Sequence, residues 1–255
     1  MNADEILTAL DLPISCRLDR RVPKNLLLEN GAPTAADKRR INDGVEEIRW
    51  IAALKPTTIG VPHFVEPTRE YVELAVVHLM LRTKAKMDRL NELVHRAIPY
   101  PVFLLTSRED ELTLSLCHKR WSRGESDKVV LDGDLIDATI GGDTDPELVQ
   151  SFRESLPLTK QKRTDLFALY QSWIGCIVAL AAAEITGRFL LPESPSRTST
   201  MHGAVEEHER IEREIALLRA QAEKEKQTSR RVELNLAIKR LEAENESAVS
   251  RMENG

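Results

Sequence analysis

The last fifty residues constrain the fold most, because their composition and spacing are typical of a long polar helix that pairs with another helix. No proline occurs between Ala204 and Met252. Apolar residues follow heptad spacing in two runs, which consist of Ile211, Ile215, Leu218 and Ala222, and of Leu234, Ile238, Leu241, Ala248 and Met252. A lone helix with so narrow an apolar stripe is marginal in water. We therefore expect a partner-binding surface formed by Ile211, Ile215, Leu218, Leu234, Ile238 and Leu241.

The two heptad runs are out of phase with each other. Leu218 and Leu234 lie sixteen residues apart, which is two more than two heptads. The phase breaks within residues 223–231, where almost every side chain is polar. Such a break fits local unwinding of one continuous helix, and it also fits the bend of an antiparallel helical hairpin. We favour the continuous helix slightly and keep the hairpin as the alternative.

Length and composition predict one core with an appendage. A chain of 255 residues can hold a good-sized core, and its hydrophobic share of 42% is ordinary for a globular protein. We predict a globular domain over residues 1–191, a Ser/Pro-rich linker over 192–203 and a coiled-coil or helical-hairpin tail over 204–253.

A βαβ unit is the predicted centre of the globular domain. Residues 71–81 are almost continuously apolar, which favours a strand buried on both faces, although their length also suits a helix. Residues 84–98 carry one apolar face and predict a helix, and residues 102–106 predict a second strand. Two strands joined through a helix in this way are expected to be parallel.

The flanking segments complete the predicted fold. We expect irregular chain over 12–23, helices over 24–29 and 34–54, strands over 57–61 and 111–121, a hairpin that joins 129–131 to 135–136, and helices from Pro146 and from Thr159 to Gly187. The predicted class is α+β, with a mixed sheet containing a βαβ unit and hairpins, packed by helices and followed by a C-terminal coiled-coil helix.

Composition restricts the compartment and the ligand classes. The net charge of −5 and the aromatic share of 4% argue against bulk attraction to nucleic acid and against a base-stacking surface. Cys16, Cys117 and Cys176 show no paired spacing, which indicates buried thiols in a reducing compartment. The N-terminus has no basic signal region, and the longest apolar run, residues 174–183, is too short to span a bilayer. We expect a cytoplasmic protein with no membrane partner.

Catalytic signatures are missing from the sequence. It contains no GxxxxGK[ST] loop, no GxGxxG motif after a strand and no GxSxG elbow, and its histidines show no HxH or HxxxH spacing. We therefore expect no catalytic residue, no metal and no cofactor. His78 is expected to be a hydrogen-bonded core residue, and His95 to complement the C-terminal dipole of its helix.

One basic cluster is a candidate nucleic-acid contact. His118, Lys119, Arg120 and Arg123 follow one another closely at the end of the strand predicted over 111–121. Basic side chains at a strand end can contact phosphates, and this is the nucleic-acid interface that we predict. The favoured alternative is a strand that simply leaves the core there, so that its charges meet solvent or acidic neighbours.

The second hypothesis, based on the charged residues, is a metal-dependent nuclease. Such chemistry needs clustered carboxylates for a magnesium ion and a lysine beside the attacking water. The candidates are Glu73, Glu111 and Asp127 with Lys119 or Lys128, and they form no recognisable Asp…Glu-x-Lys arrangement. Solvated surface acids are the stronger interpretation.

Seven stretches together resemble an uncharacterised bacterial family, the domain of unknown function four-three-nine-one. They are Leu12-Pro-Ile-Ser-Cys16, Val22-Pro-Lys24, Ala36-Asp-Lys38 with Glu47-Ile-Arg-Trp50, Ala53-Leu-Lys-Pro56, His95-Arg-Ala-Ile-Pro-Tyr-Pro101, His118-Lys-Arg-Trp121 and Ala183-Glu-Ile-Thr-Gly-Arg188. The fifth and sixth stretches are the most specific. The resemblance covers residues 12–189, and the tail is expected to vary more and to set the choice of partner.

The resemblance implies a setting rather than a reaction. Genes of this family often lie beside helicases and DNA methyltransferases in restriction-like and phage-defence islands. The leading expectation is therefore a non-catalytic accessory subunit that docks to a helicase or DNA methyltransferase, contacts DNA through the complex and forms a homo- or hetero-oligomer through its C-terminal helix. The alternatives are a metal-dependent nuclease of the same system and a homodimeric scaffold without nucleic acid.

Overall fold

A six-stranded mixed sheet is the centre of the first of two compact units, Met1–Ile177 and Val178–Gly255. The computed structural model describes residues 2–125 and 128–254. The strands of the first unit are β1 (Arg17–Arg21), β2 (Val45–Leu54), β3 (Phe64–Glu66), β4 (Arg69–Tyr71), β5 (Leu74–Leu81), β6 (Val102–Arg108), β7 (Glu111–Leu116), β8 (Lys119–Trp121), β9 (Val129–Leu131) and β10 (Ile136–Ile140). The large sheet has the order β1-β2-β5-β6-β7-β10, and β3-β4 and β8-β9 form two small sheets.

Helices pack against this sheet and complete the α+β fold that the sequence predicts. They are α1 (Ala3–Ala9), α2 (Asn25–Asn30), α3 (Ala35–Gly44), α4 (Pro56–Ile59), α5 (Met87–Ala97), α6 (Pro146–Ser155) and α7 (Leu166–Thr186), with short 3₁₀ turns at Ile14–Cys16 and Leu158–Lys160. The boundary between the two units lies inside α7. This helix starts seven residues later than predicted and ends, as predicted, before Gly187, which has a positive φ of 72°.

The predicted βαβ unit is confirmed. Strands β5 and β6 are parallel, with Ala75 opposite Val102 and Met80 opposite Ser107, and α5 connects them. Six of the eight residues of β5 are buried, which explains its nearly continuous apolar sequence. One face of α5 packs into the same core through Leu90, Leu93 and Val94.

The helix predicted over 34–54 is wrong after Gly44. Thr34 caps α3 as predicted, but residues Val45–Leu54 form β2, which pairs with both β1 and β5. The register of β2 against β5 shifts twice, between Val45 and Glu47 and between Trp50 and Ala52. These irregularities place Val45, Ile48 and Ile51 in the core at intervals of three residues, so a bulged strand imitates the spacing of a helix.

Two shorter predictions before β5 are also wrong. Residues 57–61 are not a strand, because Pro56 at the first helical position opens the short helix α4, which ends at Gly60 in the left-handed region. Residues 12–23 are not irregular throughout, since they contain a 3₁₀ turn and the edge strand β1. The short helix predicted over 24–29 is confirmed as α2.

The strand predicted over 111–121 is split, and the hairpin predicted over 129–136 does not form. Strand β7 ends at Leu116, and the chain then leaves the large sheet to form β8. Strand β9 pairs with β8, whereas β10 pairs with β7. The Asp132-Gly133 turn therefore passes the chain from one sheet to another instead of reversing it within one.

Helix α7 is long and apolar enough to cross a membrane by length and composition, but 72% of its most apolar window is buried within the protein. Its tryptophan, Trp173, is fully buried and donates from its ring nitrogen to the Leu156 carbonyl oxygen. A mostly buried apolar helix of this kind fits the core of a soluble protein.

The second unit contains an antiparallel helical hairpin, so the alternative interpretation of the tail is correct and the continuous helix is wrong. Its helices are α8 (Pro195–Lys224) and α9 (Thr228–Glu253), and the chain turns at residues 225–227, within the predicted phase break. Ser194 caps α8, and Pro195 is the first residue of the helix. The segment predicted as a linker, 192–203, is therefore helical from Pro195 onward.

The hairpin covers its own apolar seam. Ile211 and Ile215 of α8 form a buried cluster with Ile238 of α9, and Leu218 and Leu241 pack against it. Arg219 pairs with Glu242 at 2.8 Å across the two helices, and Arg197 donates to the carbonyl oxygens of Arg251 and Met252 at the end of α9. The two helices therefore shield each other's apolar stripe from water, without a second chain.

Candidate functional site

The ammonium group of Lys119 lies inside the protein and not on a phosphate-binding surface. Its residue is only 3% exposed, and its Nζ donates to the carbonyl oxygens of His95, at 2.5 Å, and of Ile98. These carbonyls belong to the C-terminal end of α5, so Lys119 caps that helix. Burial lowers the pKa of Lys119 to about 7.

His118 is held in an aromatic cluster and both of its ring nitrogens are paired. The Tyr71 hydroxyl lies 2.6 Å from Nδ1, and Gln171 Oε1 lies 2.7 Å from Nε2. Since the amide oxygen of Gln171 only accepts, Nε2 carries the proton and Nδ1 accepts from Tyr71. The ring stacks on Phe167 with centroids 4.9 Å apart, and burial lowers the pKa of His118. The neutral ring is a structural member of the cluster.

The two arginines of the predicted nucleic-acid interface differ in their surroundings. Arg120 Nε donates to Asp132 Oδ1 at 3.1 Å, and Arg69 donates to the other oxygen of the same carboxylate at 3.0 Å. Arg123 lies in the loop after β8 and is exposed. His118 and Lys119 thus face the interior, whereas the Arg120 side chain pairs with Asp132 and is partly exposed. Contact of these four residues with DNA remains a prediction.

His95 lies directly beside Lys119. The ring is fully buried, its Nε2 is 3.0 Å from Ser115 Oγ, and its Nδ1 has no hydrogen-bond partner among residues 2–125 and 128–254. Burial, with the charge of Lys119 as the second cause, lowers the pKa of His95 to about 3. A buried, unpaired ring nitrogen is uncommon in folded proteins.

His95 and Lys119 form part of the wall of a cavity of about 330 Å³. The loop between α2 and α3 forms a second wall, and β9 forms a third through residues such as Leu131. Gly31 allows that loop to approach α5, because an added Cβ would lie only 2.5 Å from the Leu93 carbonyl oxygen. The cavity is therefore built by close packing of three separate segments.

Two of the stretches that carry the family resemblance meet in this cavity. One contains His95 and Ile98, the other contains Lys119, and the Lys119 ammonium joins them. No local pattern indicates this contact, because the partners lie more than twenty residues apart and the strand predicted over 111–121 continues through Lys119. The prediction that His95 complements the C-terminal dipole of its helix does not include this cavity.

The carboxylates proposed for a nuclease do not converge. Glu73 precedes β5 and pairs with Lys55 at 3.0 Å, whereas Glu111 starts β7 and pairs with Arg108 at 2.5 Å. These positions lie at opposite ends of the sheet, roughly 20 Å apart at the rise of a strand. Asp127 lies outside the described residues, and Lys128 pairs with Glu125 at 2.8 Å.

A larger cleft of about 570 Å³ lies at the carboxyl ends of β5 and β6, beside the start of α5. Arg108 and Glu111 line it and are bound to each other, and Lys84, Lys86 and Asp88 line it as well. Within the described part of the chain, no group of three or more His, Cys, Asp or Glu side chains is arranged to hold a metal ion.

The six residues predicted to bind a partner helix lie mostly inside the hairpin. Ile211, Ile215 and Ile238 are buried, and Leu218, Leu234 and Leu241 are half-buried. The outer surface of the hairpin carries different large apolar side chains: Leu217 is 65% exposed, Val232 51% and Leu236 52%. Their positions fall between the heptad residues, which is why the heptad argument did not select them.

Comparison with protein families identifies the chain. The family model described as a domain of unknown function, DUF4391, matches residues 10–244. The chain belongs to this family. The DUF4391 match includes the βαβ unit, the His95–Lys119 cavity, all of α8 and most of α9. The helical hairpin is thus part of the DUF4391 domain, although the resembling stretches end at Arg188. No curated protein and no solved structure matches the chain.

Proposed function

We propose that this DUF4391 protein is a non-catalytic accessory subunit of a bacterial restriction-like or phage-defence DNA-targeting complex. It docks to a helicase or DNA methyltransferase subunit through the outer face of the α8–α9 hairpin. The supporting observation is that Leu217, Val232 and Leu236 are exposed on a hairpin whose inner seam is already filled. We place the protein in the cytoplasm, in keeping with its three buried free thiols.

Val232 and Leu236 are the centre of the proposed docking face. They are four residues apart in α9 and therefore lie one above the other on the same side of the helix. Burial of a large apolar side chain contributes about 1.5–3 kcal/mol, so these two together supply about 3–6 kcal/mol of association free energy. Basic residues of α9, such as Arg230 and Arg240, provide polar surroundings for the apolar pair.

Binding of the purified full chain to any helicase or DNA methyltransferase subunit whose gene lies beside its own tests this proposal. The double substitution Val232→Glu and Leu236→Glu is expected to weaken the complex by at least about 100-fold, because it places two charges in an apolar contact. Val65→Glu is the matched control, since Val65 is 60% exposed on β3 in the other unit. Unchanged affinity of the double variant, or failure of both candidate partners to bind the wild-type chain, refutes the proposal.

A second part of the proposal is direct contact with DNA through Arg123. Arg123 lies exposed after β8, whereas His118, Lys119 and Arg120 are hydrogen-bonded to other groups of the protein. In the assembled complex, Arg123→Gln is expected to reduce the salt dependence of DNA binding by about one phosphate contact. An unchanged salt slope removes Arg123 from the interface.

A further inference from the structure

The inner wall of the His95–Lys119 cavity has hydrogen-bonding capacity that the protein does not use. An ammonium group has three N–H bonds, and Lys119 Nζ has two acceptors, the His95 and Ile98 carbonyl oxygens, within the described residues. His95 Nδ1 has none there. Both groups belong to side chains that are at least nine-tenths buried and that line the same cavity. Unpaired buried groups of this kind are costly unless a ligand or water pairs with them.

The chemistry of the ligand follows from which groups can donate a hydrogen bond. The Ser115 hydroxyl can donate to His95 Nε2, and the neutral ring then carries its proton on Nδ1. In that tautomer Nδ1–H and the third N–H of Lys119 are both donors. Two donors on residues that line one cavity favour an acceptor as the ligand, and the positive charge of protonated Lys119 favours an anionic one.

The charge balance of the cavity also favours an anion. The C-terminal end of α5 carries only about half a negative charge, so the inner wall is positive when Lys119 is protonated, as a bound anion would keep it. Arg96 and Lys128 line the cavity and are half-exposed, each paired with a carboxylate, Glu92 and Glu125. Glu29 lies among the lining residues and is exposed, where water screens its charge.

We propose that this cavity binds a small organic oxyanion, either a carboxylate or a phosphate monoester. One oxygen of the ligand accepts from His95 Nδ1 and Lys119 Nζ, and its short apolar body packs against Pro33 and Leu131. The cavity volume of about 330 Å³ suits a metabolite-sized molecule. This inference does not depend on the proposed docking function, because the cavity lies wholly within the first unit.

Titration of the ¹⁵N-labelled full chain with butyrate and with butyl phosphate tests the proposal, observed at the ring nitrogens of His95. At least one probe is expected to shift the Nδ1 resonance saturably at millimolar concentration, and the stronger probe identifies the headgroup. Lys119→Gln is expected to weaken binding at least about tenfold, the effect of losing one charged hydrogen bond. Lys162→Gln, at an exposed position outside the cavity, is the matched control and should bind like the wild type.

The titration of the wild-type chain tests whether the cavity binds an oxyanion even if Lys119→Gln does not fold. Absence of a saturable shift with both probes overturns the proposal, and so does equal affinity of a folded Lys119→Gln variant. Inorganic phosphate is the third probe. If it binds as tightly as butyl phosphate while butyrate does not bind, the apolar walls contribute nothing and the organic ligand is excluded.

Discussion

At the scale of single residues, Lys119 has the largest consequences for the fold. It holds together the end of α5 and strand β8 through bonds to two carbonyl oxygens, and it sets the charge of the cavity. The residue type was visible in the sequence, but its burial was not, because the predicted strand over 111–121 continued past the point where the chain leaves the sheet. His118 and Arg120 were misplaced for the same reason, since their partners Gln171 and Asp132 are supplied by distant segments.

The pKa of Lys119 predicts a specific pH dependence of stability. Burial lowers it from 10.5 to about 7, so the unfolded chain binds more protons than the folded chain between those values. The lysine's contribution to the free energy of unfolding therefore increases as the pH rises through this window. Between pH 7 and 8.5, the wild type should gain about 1.5 kcal/mol relative to Lys119→Met in urea unfolding.

The comparison with Lys119→Met is needed because other buried groups act in the opposite direction. Burial raises the pKa of the Cys117 and Cys176 thiols to about 11, and their contribution falls with pH once unfolded thiols ionise, above about pH 8.5. These thiols are common to both proteins and cancel in the difference. A difference that stays constant from pH 7 to 8.5 would show that Lys119 titrates normally and is not buried.

At the scale of elements, prediction succeeded where local spacing and tertiary burial agree. The βαβ unit was found because β5 is buried on both faces and α5 has one apolar side. It failed for β2, because two register shifts give that strand the three-residue spacing of a helix. It also failed for β9 and β10, whose connection reads locally as a hairpin although each strand pairs with a different neighbour. Pairing partners are set by the whole sheet and leave no local trace.

Two glycine substitutions test how the elements pack. Gly31→Ala places a methyl group 2.5 Å from the Leu93 carbonyl oxygen, a backbone atom of α5, and should lower the free energy of unfolding by about 1–3 kcal/mol. Gly203→Ala adds the same methyl group in the interior of α8, where no described atom outside the adjoining helix backbone lies within 4 Å. It should raise stability by about 0.5–1 kcal/mol through helix propensity.

Chemical denaturation of both glycine variants beside the wild type provides the measurement. We expect Gly31→Ala to lower the free energy of unfolding and Gly203→Ala to raise it, although both add the same methyl group. A Gly31→Ala variant as stable as the wild type would mean that the loop after α2 does not approach α5 as closely as described, and the wall of the cavity would then be incorrectly placed.

At the scale of the whole molecule, two separate roles are proposed for the two units. The first unit contains the sheet and the proposed oxyanion cavity, and the second contains a hairpin that fills its own seam. The sequence correctly indicated that the apolar stripe of the tail must be covered, but it could not say by what. Because the phase break is the turn of a hairpin, the cover is the other half of the same tail. Docking to a helicase or methyltransferase is therefore proposed for the outer face.

The mass of the isolated full chain in solution tests this central claim most directly. Light scattering at micromolar concentration should give 28.8 kDa, the mass of one chain, because the hairpin needs no second copy to exclude water from Ile211, Ile215 and Ile238. A mass twice that value would contradict the account, since the tail would then be satisfied by self-association and its outer face would not be reserved for a foreign subunit.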